Sequence, residues 1–162
     1  MPLDPKELLL HSDALAAKAG ATQADLRRAI SAAYYAIFHF VLAAAANMAL
    51  GTSSPSTPGY GLVYRSIDHS RLRGLCDQLR GTKPGNVAIT PTVGFGRIAD
   101  FARLTVNLYE YRILADYEPS RDFTVDETKV AISDAREAIA WFQASAEEQQ
   151  KAFLTMLLFQ QR

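Results

Sequence analysis

From Thr22 to Leu50 the chain keeps a single helical rhythm, and that stretch limits what the remainder can become. Thr22 is an N-cap residue type, and Gly51 is a natural stop. Between them Leu26, Ile30, Ala33, Ile37, Phe40 and Ala44 recur at alternating spacings of four and three, the seam of a packed bundle helix. A second row, Ala29, Ala32, Ala36 and Ala43, is small enough for another helix to approach closely. From Ala32 onward almost every face is apolar, so this helix is expected at the centre, with other helices around it.

The neighbours read the same way. Asp4 to Lys18 forms a first helix, with Pro5 at its start, where a missing N–H costs nothing, and Gly20 beyond its end. A third helix is expected over about 67–79 and a fourth over about 95–117, where Phe101, Leu104, Leu108, Tyr111 and Ala115 make one stripe. Glu118-Pro119 stops it, because a residue before proline avoids the helical region. A fifth starts near Thr124, with Glu127 in the capping-box position. Gly51 to Gly61 and Gly81 to Gly94 read as long loops punctuated by Ser, Pro and Gly, with a weak hint of extended chain at Val87, Ile89 and Val93. The capping-box spacing recurs at Ser145 to Glu148, and the segment from Phe153 to Phe159 that follows is apolar on nearly all sides. Residues 1–145 are thus expected as one bundle and 146–162 as an apolar helical extension. That extension has to be covered, by its own bundle or in a dimer interface. The fold class is an all-α, up-and-down helical bundle.

Composition excludes several functions. Seventeen basic and seventeen acidic residues cancel, so no overall field gathers polyanions, and any RNA contact needs a local patch. One cysteine and three histidines are too few for a structural zinc site, and no metal or cofactor is expected. The start, Met1-Pro-Leu-Asp-Pro, lacks the features of a secretion signal. The apolar run from Ile37 to Leu50 is broken by His39 and Asn47 and falls short of the ~20 residues of a bilayer span. A cytoplasmic protein without membrane contact is the expectation. No phosphate-binding glycine loop and no Glu-x-x-His pair of a di-iron bundle is present.

The residues able to do chemistry are few. Arg112 and Asp116 stand four apart on one helical face and can pair, with Tyr117 next in the chain. His39 lies on the small-residue row of the central helix, as a core histidine bonded to a partner would. His69 opens the third helix, where exposure is the simpler reading. Tyr34 and Tyr35 face directions about 100° apart, so one is expected in the core and the other beside Arg112. Ser31 lies one turn before them. Arg65, Arg71, Arg73, Arg80 and Lys83 gather around the third helix and are the one local basic cluster, balanced in part by Asp68 and Asp77.

Two segments, Ser31-Ala-Ala-Tyr-Tyr-Ala-Ile-Phe-His39 and Arg112-Ile-Leu-Ala-Asp-Tyr117, together resemble the HEPN family, small helical bundles of prokaryotic toxin–antitoxin and RNA-targeting systems. That family typically reads S-R-A-Y-Y-A-x-F-H early and R-x-x-A-D-Y near the end of a later helix. The resemblance covers roughly residues 5 to 145. It implies a homodimer, because family sites are composite, and RNA or nucleotide as ligand. RNA-cleaving members follow the arginine with a histidine at a spacing that here falls on Tyr117, Glu118 or Pro119. The arginine fork would hold the scissile phosphate and neutralise developing charge, while an imidazole titrating near neutrality would move the ribose proton. A phenol titrates near ~10 and replaces it poorly. Ala32 also stands where the family carries a further arginine.

The expected function is therefore a HEPN-like nucleotide- or RNA-binding accessory of a toxin–antitoxin or nucleotidyltransferase system, its nuclease motif degraded. Arg112, Asp116, Ser31, Tyr34 and Tyr35 are its anion- or nucleotide-binding residues. In some related pairs a tyrosine near the arginine accepts nucleotidyl groups from a small nucleotidyltransferase, and Tyr117 matches it. Two alternatives stand beside this: a metal-independent ribonuclease using Arg112 with His39 or His69, and a non-catalytic helical interaction module. The catalytic candidates are Arg112, Tyr117, His39 and His69.

Overall fold

The computed structural model describes residues 3–52, 55–81 and 85–160. Those residues form seven helices and no strand: α1 (Pro5–Ala17), α2 (Gln23–Leu50), α3 (Pro58–Arg65), α4 (His69–Leu79), α5 (Arg97–Tyr117), α6 (Val125–Ala144) and α7 (Glu147–Leu158). The all-α bundle expected from the sequence is what the chain adopts. Of the segment with a hint of extended chain, Val87 packs half-buried on the core, while Ile89 and Val93 are exposed.

α2 is the central helix. Its N-terminus is closed reciprocally, the Asp25 N–H donating to Thr22 Oγ1 at 3.2 Å and the Thr22 N–H to Asp25 Oδ2 at 2.9 Å. Gly51, at φ +82°, ends it and donates to the Asn47 carbonyl at 2.8 Å. Ala29, Ile30, Ala33, Tyr34, Ala36, Ile37, Val41, Ala45 and Ala46 are fully buried beneath α1, α5, α6, α3 and α7. The small row does what its size allows: α1 comes close enough for Ser12 Oγ, itself buried, to donate to the Ala29 carbonyl at 2.9 Å. By length and hydropathy α2 could cross a membrane, although the run from Ile37 to Leu50 alone is too short. The average over a longer window absorbs His39 and Asn47, and in the fold most of that window is buried by other helices.

One expectation about the loops is corrected. The segment read as a loop up to Gly61 contains α3, because Thr57 caps it and Pro58 occupies its first turn, the position proline favours. Tyr60 is thereby buried and donates to Asn47 Oδ1 at 3.1 Å. α5 begins at Arg97, after Gly96 at φ +52°. A Cβ at Gly96 would stand 2.9 Å from Gln149 Nε2, and Gln149 in turn donates to the Gly94 carbonyl at 2.8 Å, tying α7 to the start of α5.

The fresh start near residue 145 is real, but its cap is not the expected one. Ser145 Oγ turns back to the Trp141 carbonyl, the Ala146 N–H donates to Gln149 Oε1 at 3.1 Å, and Glu148 reaches across to the Thr92 N–H. α7 then packs on its own bundle, with Ala152, Phe153, Leu154 and Leu157 buried in the common core. The ring of Phe153 meets those of Phe101 and Phe142 edge to face, centroids 5.5 and 5.6 Å apart. The terminal extension is thus part of the core, and only Phe159, 70% exposed, is left over. Cys76 is buried, and burial pushes its thiol up, out of the reactive range.

Phe153→Ala removes a fully buried ring from this aromatic cluster and should lower unfolding free energy by about 3–5 kcal/mol, read as a lowered urea midpoint at unchanged slope.

Candidate functional site

α2 and α5 run antiparallel in a register fixed by three pairings. Arg27 meets the carbonyls of Ala115 and Glu118, Ser31 meets Asp116, and Tyr35 meets Arg112. The step of four from Ser31 to Tyr35 is a step of four back from Asp116 to Arg112, so like-facing residues stay opposed. Beside this seam, with α1 as its other wall, lies an open groove of about 770 Å³. α2 contributes Arg27, Arg28, Ser31, Ala32, Tyr35 and His39; α5 contributes Arg112, Ala115, Asp116 and Tyr117; α1 contributes Leu8 and His11.

Arg112 is the most enclosed of the charged groups, its side chain 10% exposed. Nε lies 2.8 Å from Asp116 Oδ2, an ion-pair contact off the N–H axis, and Nη2 donates to the Tyr35 hydroxyl at 3.1 Å. The guanidinium also sits 5.5 Å from the Tyr35 ring centre and 5.6 Å from that of Tyr117, a cation held between two aromatic rings. Burial works against its charge, but the Tyr35 hydroxyl and the Asp116 carboxylate outweigh that and keep it protonated. Asp116 is held from its far side by the Ser31 hydroxyl, which donates to Oδ1. Removing either partner would leave a buried, uncompensated charge.

Both histidines reach this neighbourhood, through Tyr35. The Tyr35 ring stacks on His39 with centroids 6.1 Å apart and meets His69 edge-on at 5.5 Å. His39 lines the groove and is bonded through Nδ1 to the Tyr64 hydroxyl at 2.6 Å. His69 is not the exposed residue its position suggested. It is half-buried, 4.0 Å from the Phe38 ring centre, and its Nδ1 pairs with the Tyr34 hydroxyl at 3.0 Å. Burial lowers the pKa of His39; burial and then the Arg112 charge lower that of His69. Burial drives the Tyr34 hydroxyl far up and raises that of Tyr64, so both phenols keep their protons. Nδ1 of each imidazole is thus engaged by a neutral phenol.

Of the predicted residues, Arg112, Asp116, Tyr117, Ser31, Tyr35 and His39 are brought together. Tyr34 is not available to a ligand: it is fully buried, and its hydroxyl is spent on His69. The basic cluster around α4 dissolves. Arg73 pairs with Glu110 at 3.2 Å and Arg80 with Asp77 at 2.8 Å. Arg65 folds over Gly61, and Arg71 lines a separate cleft against residues 86–88 and the end of α7. Lys83 lies outside the described residues. Among the described residues no three of His, Cys, Asp and Glu stand together as a metal would need.

The reading from sequence missed Arg27, Arg28 and His11. A signal existed for Arg28: with Ser31, Tyr35 and His39 it continues one helical stripe at spacings of three and four. Comparison with protein-family models, with curated proteins and with solved structures gives no match for this chain.

The histidines make stability depend on pH in a defined window. Unfolded, each takes a proton at about the ordinary 6.5; folded, each resists until lower pH, so the unfolded state binds more protons in between and stability is lost as the pH is lowered. The melting temperature should therefore drop between about pH 7 and pH 5, and less steeply in His69→Gln. Asp25, whose carboxyl the Thr22 N–H and hydroxyl hold down at about 2, contributes only below that window.

Proposed function

We propose that the groove between α2 and α5 binds nucleotides or single-stranded RNA, and that the protein is a HEPN-like accessory of a toxin–antitoxin or nucleotidyltransferase system whose nuclease motif is degraded. The observation that carries this reading is the composition of one groove: three arginines and two tyrosine rings against a single carboxylate. The chain as a whole is neutral, so this concentration of cation and aromatic surface is local. It is the combination that takes phosphate and base together.

The motif itself supplies no imidazole, and the two histidines of the groove, His11 and His39, come from α1 and α2. Tyr117, 68% exposed, stands where the cleaving members of the resembled family would carry imidazole. Its exposure suits two other tasks, stacking a base and accepting a nucleotidyl group from a small partner transferase. A homodimer in the cytoplasm belongs to the same proposal, although burial of α7 in its own bundle removes one of the two arguments for dimerisation. A second reading, a metal-independent ribonuclease, is favoured by one observation: His39 shares the groove with Arg112, and the Tyr35 ring touches both.

Titration of a fluorescent RNA oligomer in chelator should show binding that weakens as salt rises, with no cleavage. Tyr117→Ala should weaken it by about 1–3 kcal/mol for the lost stack, Tyr117→Phe little, and Tyr117→His should introduce cleavage. Absence of binding even at low salt overturns the proposal. Robust native cleavage abolished by His39→Ala establishes the ribonuclease instead.

A further inference from the structure

The arginine of the motif is poorly placed to take the ligand's phosphate. The Arg112 guanidinium lies 5.5 and 5.6 Å from the ring centres of Tyr35 and Tyr117, its Nε faces Asp116, and Nη2 is bonded to the Tyr35 hydroxyl. An anion arriving there meets a cation already neutralised and mostly shielded. Arg27 is occupied as well: Nη1 donates to the carbonyls of Leu114 and Ala115, and Nη2 to those of Glu118, Pro119 and Arg121. Of the three arginines lining the groove, one is left. Arg28 is exposed and, among the described residues, has no ion pair or hydrogen bond. Its neighbouring carboxylates are spoken for, Asp116 by Arg112 and Ser31, Asp25 by Thr22 and Lys18.

We infer that Arg28 is the phosphate anchor of the groove and that Tyr117 is the base platform, so that the bound unit is one nucleotide lying along α2. This rests on the groove reading above and goes beyond it by naming which cation holds the phosphate. The spacing follows from the antiparallel register. Tyr117 follows Asp116, which is level with Ser31, and its ring leans over Arg112, which is level with Tyr35. The Tyr117 backbone is thus near the level of Ile30 and its ring no farther along than Tyr35, which puts the platform within about two helical turns of Arg28, roughly 10 Å or less along the axis. That is the reach from a 5′-phosphate across the ribose to the base of a single nucleotide. A free fork in a groove lined by aromatic surface binds phosphate bidentately, while Arg112 acts as the positioning residue that holds the Tyr35 and Tyr117 rings apart. His11, on the α1 wall, adds a side-chain donor or acceptor to the same groove.

The test is the ratio of affinities for AMP and adenosine, measured by calorimetry on the full chain, with a 5′-phosphorylated and a 5′-hydroxyl RNA oligomer as second arm. The native protein should prefer the phosphorylated member of each pair. Arg28→Ala should reduce that preference about tenfold or more, leaving adenosine affinity unchanged, and Arg28→Lys should restore part of it. Tyr117→Ala should weaken AMP and adenosine alike. A preference seen with AMP alone marks a free nucleotide as ligand; one seen with the oligomers alone marks an RNA end, and both support the anchor. A ratio unmoved by Arg28→Ala overturns the inference while the groove reading stands. No binding of any of the four ligands by native protein overturns both.

Discussion

The guanidinium of Arg27 sits among the carbonyls that α5 leaves open at its C-terminus and in the turn beyond it, donating to Ala115 and Glu118 at 2.9 Å each and to Arg121 as well. A cation at that end of a helix satisfies orphan acceptors and meets the negative pole of the backbone dipoles. Gln23, one turn earlier, pairs both ways with the Phe123 backbone, its Nε2 donating to the carbonyl at 2.8 Å and its Oε1 accepting from the N–H at 2.9 Å. Together they set where α5 stops against α2. The other contacts of the groove follow from that alignment, since Asp116 meets Ser31, and Arg112 meets Tyr35, only at this register.

The same alignment explains why so enclosed a cation is tolerated. An isolated buried guanidinium would be strongly unfavourable. Arg112 is compensated from its own helix by the Asp116 carboxylate one turn on and the Tyr117 ring, and by the Tyr35 hydroxyl and ring that the register brings from α2. It behaves as a strut between helices more than as a free charge, which is why chemistry at this place has to be assigned residue by residue instead of to the motif as a block.

Helical rhythm was readable because α2, α5 and α6 carry long apolar stripes and, at α2 and α6, side-chain caps at recognisable spacing. α3 was not, since its eight residues include two glycines and a proline and only the Thr57-Pro58 start distinguishes it from loop. In the site, residues four apart on one helix could be placed together in advance, as Arg112 and Asp116 were. Adjacent residues could not be told apart. Arg27 and Arg28 are identical in type and about 100° apart, and only the distant turn at 118–121 decides that one is a clamp and the other is left free. Tyr34 and Tyr35 were expected to divide between core and groove, and do. His69 was misjudged because its burial is conferred by Phe38 and Tyr34 from another helix, a contact no local pattern encodes.

The central position of α2 also has a consequence for the ribosome. Gln23 and Arg27 find their partners 87 to 100 residues later in the chain. At synthesis rates of roughly 5–20 residues per second, this helix emerges several seconds before α5 and α6 exist to cover it. For that interval the cell meets a long apolar helix whose hydropathy resembles that of a bilayer span. Until α3 and α4 follow it, α1 alone is there to shield part of it, and so the short N-terminal helix has a role during translation that its modest share of the finished core does not convey.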